Sequence, residues 1–203
     1  MREGPISVAV VVERFQGEIV RKSLHFLIAL VPVLASVNLP ATLGLLAAGT
    51  LFYAFAESSR LRGIPIPLVS DLTLIASRDK DRKGFVLGPV TLGLGAMLAL
   101  ILYPLPAASL AIYALAFGDG VASLAGTMVR GPKIPLFGGK TVSGSLACFG
   151  AVFAVTLAVT QRPLDALVLG AAGALLEAFP AGNFDNIVLP VGVGLIAARL
   201  PLG

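Results

Sequence analysis

From residue 24 onward the sequence is a succession of apolar runs, each broken by a short polar or proline-containing stretch. A helix needs roughly 20 apolar residues to cross the hydrocarbon core of a bilayer. The runs Leu24–Asn38, Ala41–Ala56, Gly84–Tyr103, Ala107–Val129, Val142–Thr160, Leu164–Ala178 and Ile187–Leu200 approach that length. Several are short enough to require tilt, irregularity or local thinning. Composition agrees: 57% of the 203 residues are hydrophobic and 13% are charged, where a soluble domain carries about 25% charged residues. So few polar groups do not cover the surface of a soluble protein of this size. The expectation is an all-α polytopic membrane helix bundle of about seven transmembrane helices, a single domain over residues 1–203.

The breaks carry their own information. Asn38-Leu39-Pro40 and Pro104-Leu105-Pro106 are tight and uncharged, and each predicts a helical hairpin. Ile64-Pro65-Ile66-Pro67 cannot continue a helix, and Leu68 to Ala76 after it suits a short amphipathic piece along the interface. The apolar run Ile6 to Val12 is short and followed by charge, so no removable signal peptide is expected. Cys148 is the single cysteine, which leaves no disulfide framework and no cysteine-based metal site. No nucleic-acid-binding motif is present, and acids interrupt the basic residues.

Lysine and arginine set the orientation. Thirteen of the fifteen fall on one side of the seven runs: Arg2, Arg14, Arg21 and Lys22, then Arg60, Arg62, Arg78, Lys80, Arg82 and Lys83, then Arg130, Lys133 and Lys140. Only Arg162 and Arg199 fall on the other. The positive-inside rule makes the first side cytoplasmic, with the N-terminus inside and the C-terminus outside. Ten of the eleven acids crowd the same side, Asp165 being the exception. Acids contribute little to topology, so their crowding points to chemistry on that face.

Four polar clusters stand there. Glu18, Arg21, Lys22 and His25 share one helical stripe; a Glu18–Lys22 pair beneath a snorkelling basic collar accounts for the same residues. Asp119, in "FGDGVASLAG", lies within a spanning run, where a carboxylate is costly unless paired or functional. Ser123 and Gly126 continue its face, and small residues here also suit close helix packing. "GGKTVSGS", Gly138 to Ser145, opens a helix with free backbone N–H groups and the charge of Lys140, an anion cradle. It is not a Walker A loop, because Ile134 stands where that pattern needs glycine and no strand precedes it. A simple N-cap is the alternative. In "EAFPAGNFDN", Asp185 or Asn186 suits a cap, whereas Glu177 at a helix C-terminus opposes the dipole. Acids, a lysine, hydroxyls and glycine turns at one boundary suit a nucleoside triphosphate with Mg²⁺, which takes one or two carboxylates plus phosphate oxygens.

These residues, in this order, resemble the CTP-dependent polyprenol kinase family, which includes dolichol kinase, phytol kinase and a CTP-dependent diacylglycerol kinase. D-x-x-A-x-x-x-G is similar to Asp119, Ala122 and Gly126; K-[ST]-x-x-G-[ST] to Lys140, Thr141, Gly144 and Ser145; R-K-x-x-H to Arg21, Lys22 and His25; E-x-x-P…D-N to Glu177, Pro180, Asp185 and Asn186. Arg82-Lys83-Gly84, a basic stretch before a glycine-opened helix, also fits. Ser143 replaces a frequent acid, and Gly131 falls one place later than the family's second loop glycine. The resemblance covers nearly the whole chain. It implies transfer of the CTP γ-phosphate to the hydroxyl of a membrane lipid alcohol, with Mg²⁺ or another divalent cation. Asp119, Glu177 and Asp185 would hold the metal, or one of them would take the hydroxyl proton. Lys140, Thr141, Ser143, Gly144, Ser145 and the backbone at Gly139 would hold phosphates, with Ser123, Gly126, Asp185 and Asn186 beside them. Arg21, Lys22 and His25 would neutralise transition-state charge or orient the alcohol.

Two other classes compete. A CTP:phospholipid cytidylyltransferase would release pyrophosphate in place of CDP. A transporter would show repeated halves and midplane polar residues; no repeat is evident, and the polar residues gather at one boundary. The expected setting is a multi-pass protein in a prokaryotic cell membrane, with its site facing the cytoplasm.

Overall fold

A computed structural model describes residues 8–77, 82–129, 131–134 and 139–202, with side chains from residue 17 onward. Arg2, Arg78, Lys80, Arg130, Gly138 and the Arg14 side chain, used above for orientation or for the anion cradle, lie outside that description. Among the described residues the chain is helical, with no strand beyond an isolated antiparallel bridge between Lys133 and Thr141.

Helix α1 (Val8–Leu27) runs through a tight turn, Ile28–Leu30, into α2 (Val31–Val37). Pro32 cannot donate to the preceding turn, and the backbone tightens just ahead of it. Asn38 leaves the helical region, and its side-chain oxygen accepts from the Ala41 N–H at 3.0 Å. That cap starts α3 (Leu39–Leu61), which packs back on α2, the hairpin expected at Asn38-Leu39-Pro40. The prolines after Ile64 hold the chain out of helix until α4 (Val69–Ala76). Next come α5 (Gly88–Leu102) and, after Pro104, α6 (Leu105–Tyr113), which packs on α5. A wide π-type turn, Ala114–Asp119, joins α6 to α7 (Gly120–Met128). The last three helices are α8 (Val142–Thr160), α9 (Pro163–Ala178) and α10 (Asp185–Ala197).

Among the described residues, four helical segments are long and apolar enough to cross a membrane: Gly17–Val37, Leu39–Leu61, Leu105–Met128 and Val142–Thr160. The other three expected runs form shorter helices of 15, 16 and 13 residues. At about 1.5 Å per residue these fall short of a hydrocarbon core of about 30 Å. Large apolar side chains such as Leu45, Leu51, Phe55 and Leu175 are exposed, a surface suited to lipid.

The interior is built from small residues around α6, with Ala107, Ala108, Leu110, Ala111, Ile112, Ala114 and Leu115 all buried. Close backbone approach is the rule. A methyl group at Gly95 of α5 would overlap the Asn186 carbonyl of α10, so those helices touch backbone to backbone where α10 begins. Tyr103 ties the end of α5 to α10 by donating its hydroxyl to the Val191 carbonyl at 2.7 Å.

Candidate functional site

Polar side chains from five parts of the chain meet where the ends of α1, α5, α7, α8, α9 and α10 converge. Two close approaches bring α1 in. A Cβ at Gly17 would stand 2.6 Å from the Ile75 carbonyl of α4, and one at Gly120 would stand 2.7 Å from the Phe26 ring. With glycine at 120, α1 closes on the start of α7. The π-type turn ends at Asp119; the residue it inserts rotates the following helix face by about 100°.

Lys22 Nζ then lies 2.5 Å from Asp119 Oδ2, and His25 Nε2 lies 3.0 Å from the same oxygen. His25 Nε2 also stands 3.1 Å from Asn186 Oδ1, while Asn186 Nδ2 donates to Gly88 O and Thr91 Oγ1 of α5. Both neighbours of Nε2 are acceptors, which places the ring proton there. Lys22 and His25 are buried, so Lys22 does not snorkel. Glu18 accepts from Arg21 and from Ser123 Oγ. The stripe on α1 therefore reaches across to Asp119 and Ser123, and Lys22 pairs with Asp119 in place of the Glu18 partner that the spacing allowed.

The second group surrounds Lys140. Its Nζ donates to Glu177 Oε1 at 2.7 Å and lies 3.3 Å from Asp185 Oδ2, and Ser145 Oγ donates to Glu177 Oε2 at 3.3 Å. Burial works against the ammonium, but the Glu177 hydrogen bond and the charges of Glu177, Asp185 and Asp119 outweigh it and hold Lys140 above its ordinary pKa. The loop closes on itself through Ile134 N–H to Lys140 O at 2.8 Å and Val142 N–H to Pro132 O at 3.1 Å. Gly139 has φ +88, a turn that a side chain would strain.

Helix capping divides the remaining residues. Thr141 is the N-cap of α8, its hydroxyl accepting from the Gly144 N–H at 3.1 Å, so the capping alternative holds at that position. Ser143 Oγ lies between Val129 O and Thr141 Oγ1, fastening the loop to the end of α7. A Cβ at Gly144 would meet the Ala122 carbonyl at 3.0 Å, which keeps α8 close to α7. Asp185 and Asn186, by contrast, are not caps: Phe184 holds that position without a side-chain bond. Asp185 faces Lys140, and Asn186 bridges His25 to α5.

A cavity of about 690 Å³ opens among these groups. Arg21, Lys22, His25, Asp119, Ser123 and Gly126 line it from α1 and α7. Gly139, Lys140, Thr141, Gly144, Glu177, Asp185 and Asn186 line it from the later chain. Ser143 and Ser145 are not among its lining residues and act behind the wall. Largely apolar residues complete the lining: Val69, Leu72 and Ala76 of α4, Phe85 to Pro89, and Leu92 of α5. Ion pairs and hydrocarbon thus border one space.

No protein-family model, curated protein or solved structure matches this chain.

Among the described residues, no three of His, Cys, Asp and Glu come together as a metal-ligand cluster. Of the three carboxylates expected to hold a metal or take a proton, Asp119 faces Lys22 and His25, while Glu177 and Asp185 share Lys140. Glu177 and Asp185 around one cation still fit Mg²⁺, which needs only one or two carboxylates when phosphate oxygens supply the rest.

Sequence reasoning missed Glu57. This buried carboxylate near the end of α3 accepts from Arg60 Nε and Nη2 at 2.8 and 2.7 Å and from the Val86 N–H at 2.9 Å. Arg60 also donates to the Arg82 and Gly84 carbonyls, and Tyr53 Oη donates to Val86 O at 3.0 Å. Together they hold the strand of chain that forms the apolar wall before α5. The signal was present, because an acid near the C-terminal end of an apolar helix opposes the dipole, as at Glu177.

Proposed function

We propose that the protein is a lipid-alcohol kinase of the CTP-dependent polyprenol kinase type. It transfers the γ-phosphate of CTP to the hydroxyl of a membrane isoprenoid alcohol. The observation that carries this reading is the mixed cavity, lined both by Asp119, His25, Lys140 and Glu177 and by apolar α4 and α5 residues. An amphiphilic acceptor and a charged donor each find their chemistry there. The order of the four motifs along the chain supports the same reading.

In this reading Lys140, the backbone around Gly139 and Arg21 neutralise phosphate charge, the main requirement of a loose phosphoryl-transfer transition state. Lys22 and His25 fix Asp119 beside the acceptor hydroxyl. The alcohol oxygen forms a bond to the γ-phosphorus as the bond to the β–γ bridging oxygen breaks. CDP leaves, and the hydroxyl proton passes to one of the cavity carboxylates, Asp119, Glu177 or Asp185. A bound Mg²⁺, held by Glu177 and Asp185, would supply charge neutralisation on the phosphate oxygens. The chain would cross the bilayer with the three shorter helices completing seven spans, the N-terminus and the cavity facing the cytoplasm of a prokaryotic cell.

The test is incubation of the purified protein with γ-labelled CTP or ATP, Mg²⁺ and a panel of lipid alcohols that includes diacylglycerol. Labelled lipid phosphate and CDP are expected. Release of pyrophosphate would instead identify a cytidylyltransferase, and no nucleotide turnover with any acceptor would remove the kinase reading.

A further inference from the structure

The main cavity does not end at its apolar wall. A second crevice, of about 190 Å³, lies between the turn after α1 and helices α3 and α5. Tyr53, Pro89 and Leu92 line both spaces. Beyond them the crevice is almost wholly apolar, bounded by Ile28, Leu45, Leu46, Gly49 and Gly93. Its floor is set where α3 and α5 touch, since a methyl group at Gly93 would overlap Thr50 Oγ1. Its outer edge is open: nothing lies within 4 Å of a Cβ placed at Gly49, and Leu45 is 64% exposed. The crevice follows α3, one of the helices long enough to span a membrane, so it runs from the ionic cluster towards hydrocarbon.

We propose that this crevice holds the proximal part of the acceptor's hydrocarbon tail and selects for the shape of that part. The proposal rests on the kinase reading for the identity of the acceptor. A long-chain isoprenoid alcohol with its hydroxyl beside Asp119 passes its first units along α4, turns past Tyr53, Pro89 and Leu92, and leaves into lipid over Gly49. Continuity with the charged cavity argues for an acceptor whose polar end reacts there and whose tail follows the shared residues Tyr53, Pro89 and Leu92. Tyr53 is fixed at the junction by its bond to Val86 O, so the passage has one rigid wall.

The experiment uses the full-length protein in lipid nanodiscs and a long-chain isoprenoid alcohol carrying a diazirine on its chain, without nucleotide. Photolabelling is expected on peptides containing Leu45, Leu46, Gly49 or Gly93, and excess unlabelled alcohol is expected to suppress it. Gly49→Leu fills the outlet and is expected to cut labelling about tenfold, the loss of contact to roughly two methylene groups. Gly44→Leu, at another open position on α3 outside the crevice, is expected to leave labelling unchanged. Labelling spread equally over exposed positions such as Val37 and Leu175, or labelling that a phospholipid displaces as well as the alcohol does, would overturn the proposal. Specific crevice labelling without phosphate transfer to any alcohol would sink the kinase reading and leave the tail site standing. Transfer without crevice labelling would do the reverse.

Discussion

Lys22 Nζ stands 2.5 Å from Asp119 Oδ2, joining α1 to the wide turn before α7 across 97 residues of sequence. Both side chains are nearly out of reach of solvent, at 5% and 14% exposure. Neither charge is tolerable there alone, so each element's position depends on the other's. Removing Lys22 alone, as in Lys22→Met, leaves the Asp119 carboxylate to His25, and breaking such a pair costs about 3–5 kcal/mol. A large drop in the thermal midpoint in detergent is expected. The double variant Lys22→Met/Asp119→Leu is expected to recover much of that stability while remaining inactive, because an apolar pair carries no unpaired charge.

Lys140 joins the loop before α8 to α9 and α10 through Glu177 and Asp185. Lys140→Ala is expected to lower phosphate transfer by about 100-fold or more, the scale for losing one donor to developing charge. The effect should appear mainly in kcat, and in the affinity for triphosphate more than for diphosphate. An equal loss of affinity for both nucleotides would count against a γ-phosphate role.

The pair also has a pH dependence. The folded pKa of Lys140 lies above its ordinary value of 10.5. A raised lysine contributes stability that is whole below the ordinary value and is lost as pH rises through the higher folded value. The stability difference between the native protein and Lys140→Met should stay level from about pH 7 to about pH 9 and shrink only at higher pH. A difference that collapses near neutrality would contradict the assigned ion pair.

Glu57 gives a test of architecture apart from chemistry. Glu57→Ala leaves the Arg60 guanidinium and the Val86 N–H without their shared acceptor. A loss of about 3 kcal/mol is expected, whereas Tyr53→Phe, which removes the neutral hydrogen bond to Val86 O, should cost about 1 kcal/mol. Thermal unfolding followed by circular dichroism separates the two.

Glycine substitutions should divide sharply. Gly95→Ala drives a methyl group into the Asn186 backbone carbonyl, which cannot turn aside as a side chain would, so misfolding or a severe loss of stability is expected. Gly150→Ala meets open space inside α8 and should stabilise the protein by up to about 1 kcal/mol through helix propensity. Expression level and thermal midpoint in detergent report both.

Much of this arrangement was legible in the sequence. Asn38 and the prolines near it marked the first hairpin because a polar cap and a missing donor act locally. The four polar clusters were readable as one site because each sits at a break between apolar runs. What the sequence withheld were the partners. The spacing of Glu18 and Lys22 describes neighbours on one helix and says nothing of what α7 offers, and Lys22 found Asp119. Asp185 and Asn186 looked like caps until α10 began at Asp185 and turned both side chains to other helices. Glu57 was missed because its acceptor role is completed by Val86, 29 residues later. Helix length was overread chiefly at the run Gly84–Tyr103, where α5 starts only at Gly88, while α9 and α10 keep nearly the lengths of their runs.

The central claim is that one end of the bundle transfers phosphate from a nucleotide to a membrane alcohol, with Asp119 indispensable. Its most direct measurement is labelled phosphate appearing on lipid alcohol with γ-labelled CTP, comparing the native protein with Asp119→Asn at a temperature where circular dichroism shows both folded. The account predicts robust transfer by the first and transfer reduced to background in the second. Equal transfer by both proteins would contradict it.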